Sequence, residues 1–337
     1  MDKIRAVLLH LGSNMWRKKG YQSPAKKDVE DFIYRDEMFC QKEVWTRITS
    51  LLPKMGFNTL VIDLGEGVRL DSHPELAVPG SWSKQEMQEE LARLRRLGLN
   101  PIPKFNFSPG HSAWMGDWAY RIGTPEFDGF CKDLIEETID LFDTPDFFHI
   151  GLEEEDYHSQ KNNYIAVVRC PEKKTRDTKY LFDIIMNRGV RPAIWMDLQT
   201  LENFGGPENI RDNMPQEVLF FTWNYDIHRD MPTLEQADDY IRLIHQLAAL
   251  DYDVVPTTST WCWHLNTKEV MTACKKFVPA ERIAGFMTAS WMLTRENKFF
   301  QLLNDAYTFH TAYRDVFGLE NADFKPWELY IEKEGSI

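Results

Sequence analysis

Eight short apolar runs, each followed by a longer amphipathic stretch, constrain the fold of this chain more than anything else in its sequence. The runs lie at Ala6–Leu11, Thr59–Leu64, Pro101–Phe107, Phe147–Leu152, Pro192–Leu198, Val218–Trp223, Asp253–Thr258 and Ile283–Ala289. Each is rich in Val, Ile, Leu or Phe, as strands buried on both faces of a parallel sheet must be. Helix signals fall between them. Ser83 precedes Lys84–Leu97 with Glu86 three residues on, a capping-box pattern, and Gly98 stops that helix. Thr124-Pro125-Glu126 opens another, running to about Phe142. Asn187-Arg188-Gly189 closes the helix before the fifth strand, Thr233 with Gln236 opens the one before the seventh, and Asn297–Tyr313 follows the eighth. Eight strand–helix units are the count of a (β/α)8 TIM barrel. A doubly wound open sheet is the rival, but the glycine motifs with which such sheets cradle phosphates are missing. The expectation is one (β/α)8 barrel domain over residues 1–337, with no separate N-terminal domain, since the first strand begins near residue 4.

Charge and hydropathy narrow the partners. With 52 acidic against 39 basic residues the formal charge is −13. Such a chain repels phosphates over most of its surface, so nucleic acid is not an expected partner. No basic amphipathic stretch suits an anionic membrane, and no apolar run approaches the roughly 20 residues of a membrane-spanning helix. Met1-Asp2-Lys3-Ile4-Arg5 leads into no apolar signal region, so a cytoplasmic location is expected for the chain as given. Cys40, Cys131, Cys170, Cys262 and Cys274 are odd in number and lack metal-ligand spacing, so free thiols are expected. No cofactor is expected, and no pattern fixes an oligomeric state.

In a barrel of this kind the chemistry sits at the C-terminal ends of the strands. Those ends carry His10 with Asn14 and Trp16 beyond it, then Asp63 with Glu66 and Arg69 beyond, then Asn106 and His111. The fourth to eighth carry Glu153-Glu154-Glu155; Trp195 and Asp197; Trp223, Asn224, Tyr225 and Asp226; Trp261, Trp263 and His264; and Trp291. Tryptophans around a few carboxylates suit a sugar, whose C–H faces stack on rings while its hydroxyls bond to polar groups. His149-Ile150-Gly151-Leu152-Glu153-Glu154 is the most informative segment. Alternation along the strand turns Ile150 and Leu152 toward the helices and His149, Gly151 and Glu153 toward the barrel axis. Neighbouring carboxylates cannot both ionise freely, so one pKa rises, as an acid catalyst of glycoside cleavage requires. A second reading of the same residues takes His10, Asp63, His111, Glu154 and Asp197 as ligands of a divalent ion, although no local ligand motif supports it.

Four stretches, in order and spacing, resemble glycoside hydrolase family 20, the β-N-acetylhexosaminidases. Val61-Ile62-Asp63-Leu64-Gly65-Glu66-Gly67-Val68-Arg69-Leu70, with His73-Pro74-Glu75-Leu76, is similar to the family's Leu-Thr-Asp-Asp-Gln-Gly-Trp-Arg and Tyr-Pro-x-Leu. Pro101–His111 resembles Ile-Pro-Glu-Ile-Asp-x-Pro-Gly-His, and Phe148–Glu154 resembles Phe-His-x-Gly-Gly-Asp-Glu. Arg191–Asp197 resembles the strand-five stretch that contributes a Trp. The resemblance implies a retaining, substrate-assisted mechanism in which the sugar's acetamido oxygen attacks its own anomeric carbon. By position it makes Glu154 the acid/base and Glu153 the acetamido partner, with Asp63 and His111 as the hydrogen-bond network behind the acid. Substrate contacts would fall to His10, Arg69, Asn106, His149, Trp195, Asp197, Trp223, Tyr225, Trp261, Trp263 and Trp291.

The chain departs from the family pattern in several places. Glu153 stands for an Asp and so reaches about one methylene further, roughly 1.5 Å, where misplacement by about 1 Å can cost on the order of a hundredfold in rate. Leu152 replaces the second Gly and would crowd the site. Lys104 and Asn106 replace acidic residues. Ser13 stands at the position of a sugar-gripping Arg, with His10 in place of an Asp. These departures leave open a catalytically silent glycan-binding barrel, or a direct displacement with Glu153 or Asp197 as nucleophile.

Overall fold

The computed structural model describes residues 3–16, 19, 33–161, 165–227, 231–319 and 324. Met1 and Asp2 of the opening segment lie outside them. The strands are β1 (Ile4–His10), β2 (Thr59–Asp63), β3 (Asn100–Lys104), β4 (Phe147–His149), β5 (Arg191–Met196), β6 (Leu219–Thr222), β7 (Asp253–Val254), β8 (Thr257–Thr258) and β9 (Gly285–Ala289). All pair in parallel, in the order β7-β6-β5-β4-β3-β2-β1-β9-β8. β7 and β8 are two halves of one stave. The break falls at Val255-Pro256, where proline offers no N–H to a neighbour. The stave is still bonded on both sides, by Val255 N–H to the Phe220 carbonyl (2.8 Å) and by Met287 N–H to the Pro256 carbonyl (3.1 Å). Bridges between Val254 and Ile283 and between Trp223 and Thr257 close the ring. The fold is the expected (β/α)8 barrel.

Around it run α1 (Lys42–Leu51), α2 (Lys84–Arg96), α3 (Pro125–Leu141), α4 (Tyr157–Gln160), α5 (Pro171–Asn187), α6 (Leu198–Asn203), α7 (Pro207–Asn213), α8 (Asp239–Ala249), α9 (Asn266–Phe277) and α10 (Phe299–Phe317). The capping box of α2 is formed: Glu86 N–H donates to Ser83 Oγ (3.2 Å) and Ser83 N–H to Glu86 Oε2 (2.9 Å). Thr233 does not open a helix as expected. Its hydroxyl accepts from Gln236 N–H (3.3 Å), but α8 starts later, capped by the Asp238 carboxylate.

Strand alternation sorts the core into two layers. Ala6, Leu8, Val61, Ile102, Phe147, Trp195, Phe221 and Met287 fill the barrel, while Val7, Leu9, Leu60, Ile62, Phe148 and Ile194 pack outward under the helices.

The first two strand-end loops are welded by a buried carboxylate. Ser13 N–H and Asn14 N–H donate to Glu66 Oε1 (2.9 and 3.2 Å), and Asn14 pairs with the Arg35 backbone in both directions at 2.8 Å. A side chain at Gly12 would meet the Leu64 carbonyl at 2.4 Å, so only glycine lets the loops touch. Burial pushes the Glu66 carboxyl up to about 7, against the lowering effect of the N–H donors. The folded pKa exceeds the ordinary one, so this contribution to stability is complete below about pH 4.5 and is lost as pH rises through about 7. Glu66→Gln should therefore flatten the fall in melting temperature between about pH 5 and 8, removing a loss on the order of 2–3 kcal/mol. Thermal melts of both proteins across that range check it; parallel curves would refute it.

Candidate active site

The segment after β4 sets the site. The strand ends at His149, and Gly151, Leu152 and Glu154 then take left-handed backbone (φ +74°, +77° and +52°). A non-glycine residue there costs on the order of 1–3 kcal/mol and must be held by its surroundings. Neighbouring strand ends hold it here: Phe107 N–H donates to the Ile150 carbonyl (3.2 Å) and Trp195 N–H to the Gly151 carbonyl (3.0 Å). The kinked path sends three consecutive glutamates to three places. Glu153 is buried, at 4% exposure, and lines a cavity of about 430 Å³. Glu154 lines the same cavity with about a third of its side chain exposed. Glu155 turns away, fully buried against Arg169 (2.6 Å) and Lys174 (3.4 Å), and anchors the loop to α5. Leu152 does not crowd the site, because the backbone twist puts its side chain in the outer core.

His111 joins the two cavity carboxylates. Its Nε2 lies 2.8 Å from Glu154 Oε2 and 3.5 Å from Glu153 Oε1. Asn106 Nδ2 donates to Glu153 Oε1 (2.7 Å), so Asn106 orients the carboxylate from behind and does not line the cavity. Glu153 Oε2 is buried with no partner among the described residues. Burial opposes charge on His111, but Glu153 and Glu154 together raise its pKa. Burial raises Glu153, partly offset by His111 and Lys104. Burial would raise Glu154 too, but His111 wins and holds it low. The expected split between the carboxylates exists, and it is Glu153 that rises.

Asp63 is not where the resemblance put it. Register sets His10, Asp63, Lys104 and His149 side by side on β1 to β4. Lys104 Nζ holds Asp63 Oδ2 at 2.7 Å, and His10 Nδ1 lies 3.4 Å from the same oxygen. Lys104 and His10 hold Asp63 down at about 2 despite complete burial. The Nδ1 of His111 has no hydrogen-bond partner among the described residues. His10 and His149 belong to this buried floor and do not line the cavity. Burial drives His149 well toward its neutral form, with its Nδ1 accepting from Gly151 N–H (3.1 Å).

The walls are aromatic. Trp16, Trp195, Trp223, Tyr225, Trp261 and Trp291 line the cavity with Cys262. Trp291, itself in left-handed backbone (φ +58°), is the hub, its ring 5.8 Å from Trp195, 6.3 Å from Tyr225 and 6.4 Å from Trp16. The indole N–H groups of Trp195 and Trp223 are buried without an acceptor among the described residues.

Besides His10, Asn106 and His149, three more expected contacts fall elsewhere. Arg69 is exposed, because Val68 and Leu70 on either side are buried and alternation turns it out. Trp263 packs on His264 (5.0 Å) and does not line the cavity. Asp197 caps α6, accepting from Thr200 N–H (2.8 Å), which leaves it poorly placed as a nucleophile. Cys262 was not among the expected residues, and Trp16 was read as a strand-end candidate but not as a substrate contact. Trp16 lies six residues past the end of β1, and Cys262 sits between two tryptophans that drew the attention. The five residues of the metal reading are not brought together. Among the described residues no three His, Cys, Asp or Glu side chains converge as a ligand set.

No family model matches the sequence, and no curated protein does. Solved structures do match. A GH20 catalytic module of the pneumococcal exo-β-D-N-acetylglucosaminidase superposes with a TM-score of 0.60 at 14% identity, over 99% of this chain and 87% of that one. The Bacteroides fragilis β-N-acetylhexosaminidase gives 0.59 at 13% identity, over 99% and 71%. Dispersin B gives 0.56 at 15% identity, over 93% and 99%. At these identities the likeness speaks for architecture: this chain has the (β/α)8 barrel fold of those proteins.

Proposed function

We propose that this barrel is a glycoside hydrolase that cleaves β-linked 2-acetamido sugars with retention, using the substrate's own acetamido group. One observation carries the reading: two consecutive carboxylates meet in a tryptophan-walled cavity, one at the mouth and one buried with a free oxygen. The aromatic walls suit a pyranose face. The buried Glu153 oxygen suits the acetamido N–H, and the indole N–H groups of Trp195 and Trp223 are donors for carbonyl or hydroxyl oxygens. The match to barrels whose names carry β-N-acetylhexosaminidase activity points the same way.

In the proposed sequence the acetamido oxygen attacks the anomeric carbon as the bond to the glycosidic oxygen breaks. Glu154 gives that oxygen its proton. The proton comes from the store shared by His111 Nε2 and Glu154 Oε2, because His111 holds the Glu154 carboxyl below its ordinary range. A sugar filling the mouth excludes water and disfavours the separated charges, moving the proton onto Glu154. Glu153 accepts the acetamido N–H and, as positive charge grows on the resulting ring, is favoured in its ionised form. Glu154 then takes a proton from water, which opens the intermediate at the anomeric carbon.

A panel of aryl β-glycosides tests this. Turnover is expected with the 2-acetamido group and not with a 2-hydroxyl. Among the described residues the lining carries two carboxylates, Glu153 and Glu154, which repel a like charge, so sugars bearing a carboxylate or sulfate should neither react nor compete. Turnover of plain glycosides would replace the acetamido group with a carboxylate nucleophile. Sugar binding without turnover of any member would make the chain a glycan-binding barrel.

A further inference from the structure

The aromatic side of the cavity comes from three strand ends, and two buried polar side chains behind it tie those ends together. Trp223 and Tyr225 follow β6, Trp261 and Cys262 follow β8, and Trp291 follows β9. The β8 end has the least backbone support. Its stave is broken at Val255-Pro256, and the half that leads into the cavity is Thr257–Thr258. Trp261 is 44% exposed, so packing holds only part of it. The loop that carries it must be fastened by other means.

Asn266, the first residue of α9, supplies one fastening and is fully buried. Its Oδ1 accepts from Ser259 N–H (3.2 Å), and its Nδ2 donates to the Asn224 carbonyl (2.9 Å). An N–H can only donate and a carbonyl can only accept, so the two partners fix the orientation of the amide. Asn224 sits between Trp223 and Tyr225, so one side chain joins the loop after β8 to the loop after β6. Asp305 on α10 supplies the other fastening. Its Oδ1 accepts from Thr260 N–H (2.8 Å) and from the Thr260 hydroxyl (3.0 Å), and its Oδ2 accepts from the Thr288 hydroxyl (2.7 Å). Thr288 lies on β9, three residues before Trp291. A carboxylate is costly to bury unless its oxygens are bonded, and the bonds of Asp305 go to the segments that carry Trp261 and Trp291.

We propose, on the reading of the site given above, that Asn266 and Asp305 are positioning residues that hold the aromatic wall in the shape that receives the sugar. Neither lines the cavity. Each acts through the loops it holds: Asn266 on Trp223, Tyr225 and Trp261, and Asp305 on Trp261 and Trp291. A wall that grips the sugar equally before and during the reaction contributes to binding and leaves the barrier alone. Its loosening therefore belongs in KM and not in kcat.

Asn266→Ala and Asp305→Ala should each raise KM for an aryl 2-acetamido-β-glycoside about tenfold or more, while kcat stays within about threefold of wild type. Asp305→Asn is the conservative variant. Its amide can accept from Thr260 N–H and donate to the Thr288 hydroxyl, so KM should return to within about threefold of wild type. A wild-type KM in a folded alanine variant would overturn the role of that residue. A fall in kcat at unchanged KM, the mark of a smaller folded fraction, would do the same and leave the residue purely structural. Amide hydrogen exchange in the full-length wild type adds a check that needs neither turnover nor a stable variant. The Ser259 and Thr260 amides should exchange at least about a hundredfold more slowly than those of an unstructured loop. Exchange at the unprotected rate would overturn the proposal, because the two side chains would then not be holding the wall. A wild type that protects these amides but neither binds nor cleaves the sugar would sink the hydrolase reading and leave the fastening of the wall in place.

Discussion

Glu154→Gln should lower kcat on an aryl 2-acetamido-β-glycoside by roughly 10²–10⁴-fold, the usual contribution of a placed acid/base. The amide is nearly isosteric and can still meet His111 Nε2, now 2.8 Å from a carboxylate oxygen, so the cavity keeps its shape. What it cannot do is carry a proton to the glycosidic oxygen. The loss should therefore depend on the leaving group, being greatest for alkyl or sugar leaving groups and smallest for nitrophenolates, which depart without help. Sugar binding should survive, because the tryptophan walls and Glu153 are untouched. The pair also reads through His111. Its raised pKa rests on Glu153 and Glu154, so neutralising one carboxylate should lower its titration. A rate within about threefold of wild type with every leaving group would remove Glu154 from the chemistry and pass the acid role to Glu153, the carboxyl that burial raises.

The barrel was legible because its evidence is periodic and local. Every apolar run became a stave, and the capping box of Ser83 and Glu86 closed as written. Glu153, Glu154 and His111 were legible because strand ends in a barrel converge by topology. What could not be read is decided by rotations of a few residues. Arg69 turned outward because its two neighbours are core residues, a matter of phase along a short extended segment. Leu152 lies in the outer core, the side to which alternation turned it, and only its left-handed backbone went unforetold. The Lys104–Asp63 pair needs the register of β2 against β3, and one residue of slip would have turned Lys104 to the other face.

Gly151→Ala should damage the fold and the site together. Gly151 has φ +74°, and a Cβ built on it would lie 2.1 Å from Asn106 Oδ1 and 2.9 Å from the Asn106 Cα. One of these obstacles is backbone, so rotating a side chain away does not relieve the clash. Asn106 must move, and it is Asn106 Nδ2 that holds Glu153 Oε1 at 2.7 Å, while its Oδ1 accepts from Ser108 N–H (3.1 Å) and its carbonyl from the Trp114 indole (3.0 Å). The expected stability loss is about 2–4 kcal/mol, from left-handed strain and overpacking together. The larger effect falls on the site. With Glu153 unmoored by about 1 Å, kcat should fall on the order of a hundredfold even in the fraction that remains folded. Thermal melts give the first quantity, and kcat measured well below the melting range gives the second. Asn106→Ala separates the two causes, since it frees Glu153 without the clash. It should reproduce most of the loss in kcat with a smaller loss of stability. Equal kcat for Gly151→Ala and wild type would mean that the Asn106–Glu153 bond does not position the carboxylate during turnover.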